Sequence, residues 1–493
     1  MAGPLYIAVD LGAGSGRVFL AGVDSDELLL EEIHRFRYPP KVESGYQRWN
    51  FPHIFAEIKD GLKAAGKRAK VLGRRVHSIG IDGWGVDYGL LDADGNLLAN
   101  PICYRDNRTL GAMERVFLDV PRSLIFEKTG IQFQPFNTLF QLVSESEDIG
   151  KASKLLLLPD LINYFLTGHV VAEHTNASTT QMMNAATRDW DFELLDRLNI
   201  RSEILPKIVS AGEEIGELKS DIAGELGLRG VRVVAPATHD TASAVAGAPL
   251  TESQAYISSG TWSLIGVEAE KALINPEAAR LNFSNEGGAY GTNRFLKNVM
   301  GLWIFESCRR EWKSAGIDAE YDLLVAKVSA IDGLKAFIFP DDPRFLNPPS
   351  MLAVINRQLE ETGQGSEVDP VAISKIIFDS LAFRYASVLR SIESLTGTRL
   401  ASIQILGGGG RNAYLNQMTA NSSGLLVQAG LTEATVVGNV LVQAIAAGRF
   451  SSIAEARGHV RANFELVSFE PQPSIEINRA NERYSAISRK FGG

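Results

Sequence analysis

Two stretches of this chain are laid out alike, and that repetition limits the folds open to it. LYIAVDLG (5–12) is joined by a Gly/Ser turn to RVFLAGVD (17–24), and QAYISSG (254–260) passes in the same way into WSLIGVE (262–268). An apolar run, a small-residue turn and a second apolar run read as a β-hairpin. A doubly wound dinucleotide fold opens with a strand that feeds a helix, so it does not fit. One such hairpin in each half indicates two related domains facing one cleft. Length agrees, because 493 residues exceed one ordinary core and suggest two large domains or three smaller ones at roughly 150 residues each.

Further strand-like runs are VHSIGIDGWG, VDYGLLD, VRVVAPA, IQILGGGG and LLVQAG. Between them lie helical patterns, FPHIFAEIKDGLKAAGKRA, LLLLPDLINYFLTG and PVAISKIIFDSLAFRYASVLRSIESLTG. Strands interleaved with helices of this length give an α/β protein with mixed sheets, and the stretch from Pro236 to Pro249 is the expected boundary between halves. Composition, 45% hydrophobic and 22% charged, is that of a soluble globular chain. A net charge of −9 without a basic block argues against nucleic acid and anionic membranes as partners. Two cysteines without metal spacing, and a first strand with no charged leader before it, point to the cytoplasm. The seven histidines do not cluster, which argues against zinc.

Three glycine clusters carry the chemistry. In DLGAGSGR (10–17) Gly permits a tight turn, but Asp10, Ser15 and Arg17 add groups that suit phosphate and, through water, magnesium. YISSGTWS (256–263) repeats the arrangement with hydroxyls, and LGGGGRN (406–412) leaves backbone bare enough to admit a flat ring or a phosphate. GLKAAGKR (61–68) has P-loop spacing, but Arg68 replaces the magnesium hydroxyl, and it reads as a solvated helix end. GIDGWGVDYG (80–89) offers Asp82, Asp87 and Trp84, carboxylates and an apolar face for a sugar, or else a buried Trp beside a hairpin. In PATHDTASAV (236–245) Asp240 is either the cap of a helix starting at Thr241 or a carboxylate at a strand end facing a ligand. The residues alone leave those two readings level.

These elements in this order, DLGAGSGR, GIDGWGVD, CYRDNRT, GIQFQPFNTLFQL, TNASTTQ, HDTASAV, SSGTWSL, NEGG, LKNVMGLW and LGGGGRN followed by TEATVVGN, resemble the FGGY carbohydrate kinases over residues 5 to 450. The resemblance implies an actin-like α/β fold of two ribonuclease H-like domains, residues 1–247 and 248–452, closing over ATP and sugar, with 453–493 as a packed tail. It implies transfer of the γ-phosphoryl group of ATP to the carbon-1 hydroxyl of a ketose, L-rhamnulose first among them. L-fuculose, L-xylulose and a catalytically weak sugar sensor are the alternatives. It assigns Asp240 as general base, with Gly85, His239, Thr241 and Asn298 around the sugar. It gives the phosphates Ala13, Gly14, Ser15, Gly16, Arg17 and Thr261, the nucleotide Glu306 and Gly409, and magnesium Asp10. A monomer or homodimer is expected. Gly14 and Gly83 stand where relatives carry hydroxyl residues, and Glu306 where some carry Gln.

Overall fold

The structure, a computed structural model, describes residues 3–24, 27–145 and 148–492. The chain divides into two compact units: Met1–Pro249 with Glu268–Phe295 and Ala434–Phe464, and Leu250–Val267 with Leu296–Glu433 and Glu465–Gly493. The first unit is built on β1 (Leu5–Gly12), β2 (Ser15–Val23), β3 (Leu28–Arg37), helix α1 (Phe51–Val71), β4 (Val76–Gly83), β5 (Glu214–Glu217), β6 (Arg232–Val234), α2 (Asp240–Gly247) and α3 (Ala434–Ala446). Its sheet runs β5-β6-β4-β1-β2-β3, with β1 antiparallel to β2 and parallel to β4.

Alternation along these strands sorts the two faces. Leu5, Ile7, Val9 and Leu11 of β1 join Ile79 and Ile81 of β4 in the main core with Ile54, Ile58 and Leu62 of α1. The residues between them, Tyr6, Ala8, Asp10, Ser78, Gly80 and Asp82, belong to the opposite face. There Ser78 Oγ donates to Gln443 Oε1 at 2.7 Å and Asn439 Nδ2 to Gly80 O at 3.2 Å, so α3 covers this face through its i, i+4 pair. A Cβ on Gly438 would lie 1.7 Å from Ser243 O, so α3 and α2 touch backbone to backbone.

In the second unit β7 (Gln254–Ser259) is antiparallel to β8 (Trp262–Ala269) and parallel to β9 (Ser402–Leu406). Next come β10 (Leu426–Leu431), parallel to β9, and β11 (Val467–Phe469), antiparallel to β10. This is the pairing sense of β1 with β2, β4, β6 and β5, so the repeated hairpins do open two units of one topology with mixed sheets. The 27-residue helix Pro370–Thr396 starts where Asp369 accepts the Ala372 N–H at 2.9 Å and stops at left-handed Gly397.

Local expectations differ in two places. Three of the four leucines of LLLL are strand: Lys154–Leu157 pairs with Tyr88–Leu91 before a helix begins at Leu158, because Pro159 suits the first helical turn. GLKAAGKR fills the second half of α1 and reaches its last turn at Arg68, with Lys63 and Lys67 solvated as expected, but its other face is buried, where Gly61 and Gly66 let the helix approach Val18 and Leu228. Among the described residues no helix is long and apolar enough to cross a membrane.

Candidate active site

The face covered by α3 ends in charge. Asp10 is directly opposite Arg17 on β2 and Asp82 on β4. Arg17 and Asp10 form an ion pair, with side chains 20% and 10% exposed. Asp82 has no exposed surface; its Oδ2 accepts from Asn439 Nδ2 at 2.5 Å, and its Oδ1 has no hydrogen-bond partner among the described residues. Burial, then the Asp10 carboxylate, holds Asp82 well above the usual carboxylate range. Beyond this pair the turn of Ala13 and Gly14 closes the hairpin, with Gly14 at φ 132°, a conformation only glycine adopts without strain. Buried Tyr38 supports the turn by sharing its hydroxyl proton between Gly12 O at 2.7 Å and Ser15 O at 2.9 Å. Ala13 and Ser15 remain exposed.

HDT sits where β6 hands over to α2. The helix begins at Asp240, with His239 at the cap position and no side-chain cap bond, so Asp240 is not the cap that its sequence position suggests. Its Oδ1 takes both local donors, Thr241 N at 2.5 Å and Thr241 Oγ1 at 3.1 Å, which leaves Oδ2 for another partner. The side chain is 29% exposed, yet burial and then Asp10 push its carboxyl up to about 7. His239 is fixed from behind. Arg294, with no exposed surface, bonds His239 Nδ1 at 3.0 Å, pairs with Glu286 at 3.2 Å and donates to Gly287 O at 2.9 Å. A guanidinium can only donate, so His239 Nδ1 accepts and its proton sits on Nε2, which lies 3.6 Å from Asp240 Oδ1. Burial and Arg294 hold the ring neutral.

Gly85 lies where a Cβ would come within 2.8 Å of Thr179 Oγ1. Asp87, read beside it as a sugar carboxylate, has a structural role instead. It is fully buried and accepts from Trp49 Nε1 at 2.7 Å, Trp84 Nε1 at 3.0 Å and Tyr104 N at 3.2 Å. Trp84, 6% exposed, packs with Trp49 and Tyr38, so here the buried-Trp alternative holds. Nothing in the sequence pattern marks Arg294, and Glu286 and Asn439 stand only within the motifs NEGG and TEATVVGN, with no role attached.

In the second unit, Thr261 is exposed in the turn after β7, and its carbonyl accepts from Trp303 N at 3.1 Å. The helix Trp303–Ser314 therefore starts against that turn and carries Glu306, paired with Arg309 at 2.7 Å. Gly409 adjoins the end of β7, where a Cβ would fall 2.0 Å from Ser259 Oγ, whereas Gly408 has nothing within 4 Å. Asn298 is half-buried on the strand Asn293–Met300. The two glycines thus separate packing from access. Gly409→Val is expected to lower the urea midpoint of the whole protein; Gly408→Val is expected to leave the midpoint unchanged and raise the KM for ATP. Equal midpoints for the two variants would contradict the packing assignment.

A carboxylate with one oxygen left by its local donors, a neutral imidazole N–H beside it and a glycine hairpin turn thus lie on the same unit. Residues 5–247 match the N-terminal domain, and residues 255–447 the C-terminal domain, of the FGGY family of carbohydrate kinases. The chain belongs to that family. Among its relatives, a rhamnulokinase of Bacteroides thetaiotaomicron is 42% identical over 472 residues, 95% of this chain and 96% of the relative. A rhamnulokinase of Enterococcus faecalis is 40% identical over 490 residues, 98% and 97% of the two chains, and one of Bacillus subtilis 38% over 470 residues, 95% and 96%. The fold is shared with a ligand-bound xylulose kinase from Lactobacillus acidophilus, TM-score 0.78 at 16% identity over 99% of this chain and 97% of that one. It is also shared with a Plasmodium falciparum glycerol kinase solved with ADP, TM-score 0.77 at 16% identity over 99% and 98%.

Proposed function

We propose that the chain phosphorylates L-rhamnulose at its carbon-1 hydroxyl, taking the γ-phosphoryl group from ATP and releasing ADP. The observation that carries this reading is the free Oδ2 of Asp240, a carboxylate whose pKa of about 7 suits a general base at neutral pH. As the sugar oxygen bonds to phosphorus and the bond to the β-phosphate oxygen breaks, the hydroxyl proton passes to Asp240. His239 Nε2–H donates to the sugar, with Gly85, Thr241 and Asn298 shaping its surroundings. The turn Ala13–Gly16, exposed at Ala13 and Ser15, holds phosphate with Arg17, Thr261 adds a hydroxyl, and Glu306 and Gly409 border the nucleotide. Phosphoryl transfer depends on in-line positioning and charge neutralisation more than on covalent help, and this division of labour supplies both.

Magnesium fits the residues present. Asp10 and the orphaned Oδ1 of buried Asp82 are hard oxygen donors, and Mg²⁺ commonly rests on one or two carboxylates plus phosphate and water rather than in an all-protein cage. When bound, it would neutralise phosphate charge. Asp10 would hold it, beside the Arg17 guanidinium with which it pairs.

The test is ATP-dependent ADP release against L-rhamnulose, L-fuculose, L-xylulose, D-xylulose and glycerol. We expect L-rhamnulose to lead in kcat/KM by at least about 10²-fold, well short of the roughly 10⁴–10⁵ that a site built to hydrogen-bond a particular hydroxyl can reach. A faster rate on another ketose would keep the kinase and overturn the sugar. The absence of turnover on all five, with ATP still bound, would favour the sensor.

A further inference from the structure

We propose that the first unit holds a second ligand pocket, separate from the reaction site, in which Arg188 and Lys207 bind a small phosphorylated sugar. The pocket is a cavity of about 590 Å³ on the rim of the short strands Met183–Asn184, Asp189–Trp190 and Lys207–Val209. None of the residues assigned above to sugar, nucleotide or metal lines it. Its volume is within the roughly 300–1,000 Å³ usual for small-molecule sites.

The charge on its wall is unbalanced. Arg188 is half-buried and held in a left-handed turn at φ 58°. It donates to Gly291 O at 2.7 Å and to His174 Nε2 at 2.6 Å, and among the described residues no carboxylate forms an ion pair with it. His174 gives no counter-charge, because burial, then Arg188, lowers its pKa to about 4 and keeps the ring neutral. Buried Glu173 offsets part of the Arg188 charge without pairing with it, so a guanidinium whose hydrogen bonds go to neutral acceptors is left that an anion in the cavity could engage. Lys207, exposed on the same wall, likewise forms no ion pair among the described residues. The one acidic side chain on the wall, Asp189, is exposed and leaves the lining net positive.

The rest of the wall suits the carbon face of a sugar rather than a bare ion. Buried Trp190, Phe192 at 55% exposure and Tyr290 at 40% present ring surface to the cavity. Tyr290 keeps φ at 53°, a left-handed conformation that disfavours a bulky residue and is typical of ligand clamps. The segment also leads toward the reaction site, since Gly287 O, one residue before the lining Gly288, is the acceptor for Arg294, which holds His239.

The experiment is calorimetric titration of D-fructose 1-phosphate, inorganic phosphate and D-fructose into wild type, Lys207→Glu and Arg188→Met. Lys207→Glu changes an exposed side chain, so it should fold normally and keep kcat and sugar KM within about twofold. We expect it to lose affinity for fructose 1-phosphate at least about tenfold, and Arg188→Met to lose more. Inorganic phosphate should bind more weakly than fructose 1-phosphate, and fructose should show no component sensitive to either substitution. Unchanged fructose 1-phosphate affinity in Lys207→Glu would overturn the site, even if Arg188→Met fails to fold. Inorganic phosphate binding as tightly as the sugar phosphate would overturn the sugar-phosphate assignment.

Discussion

Asp240→Asn is expected to remove about 10²–10⁴-fold of the phosphoryl-transfer rate and, at pH 8, to raise the melting temperature of the same protein. Both effects come from one displaced pKa. The Asp240 carboxyl is pushed from 3.8 up to about 7 by burial and by Asp10, so the folded state holds its proton more tightly than the unfolded state. Wild-type stability is therefore complete, in this term, below pH 3.8 and declines as pH rises through about 7; at 1.36 kcal/mol per unit the loss reaches about 4 kcal/mol above that value. Asparagine cannot ionise, so the difference in melting temperature should open between pH 4 and 7 and vanish in more acid solution. Activity runs the other way, because only the deprotonated form accepts a proton. Wild-type kcat/KM should climb with pH, reach half its limit near 7 and level off about one unit higher, and residual activity of the variant should lack that limb. A wild-type profile that is flat from pH 5 to 7 would remove Asp240 as the base.

Arg294→Met should destabilise the protein by about 3–5 kcal/mol, read as a lower urea midpoint at unchanged m-value. The side chain has no exposed surface, and its loss takes from Glu286, a carboxylate only 4% exposed, the guanidinium that pairs with it at 3.2 Å. It also frees His239 Nδ1, so the ring is no longer restricted to one tautomer. Pairing the substitution with Glu286→Gln should restore much of the stability, because both charges of the pair are then removed. Catalysis should not recover with it. If the double variant regained wild-type kcat/KM as well, Arg294 would be structural alone and the tautomer argument would fail.

The fold was largely legible because its signals are local. The hairpins LYIAVDLG–RVFLAGVD and QAYISSG–WSLIGVE declare themselves by period and turn residues, and they appear as β1–β2 and β7–β8. What escaped depends on partners far along the chain. LLLL is strand only because Tyr88–Leu91 is there to pair with it, and Asp87 is structural only because Trp49 and Tyr104 supply its donors. Arg294 looks like any strand arginine until its neighbours Glu286 and His239 are placed. Gly409 shows the opposite limit: a glycine in a suggestive cluster has a packing reason, Ser259, that no local pattern displays.

Chain connectivity sets an order on synthesis. α3 covers the β1–β4 face with Asn439 and Gln443, yet it is made about two hundred residues after the last strand of that sheet. Until the ribosome has delivered it, Asp82 lacks its amide partner and the backbone at Gly80 lacks its cover. The carboxylate-bearing face of that sheet is therefore among the last parts of the first unit to be covered, and the leading half cannot complete its layers before the chain is nearly finished.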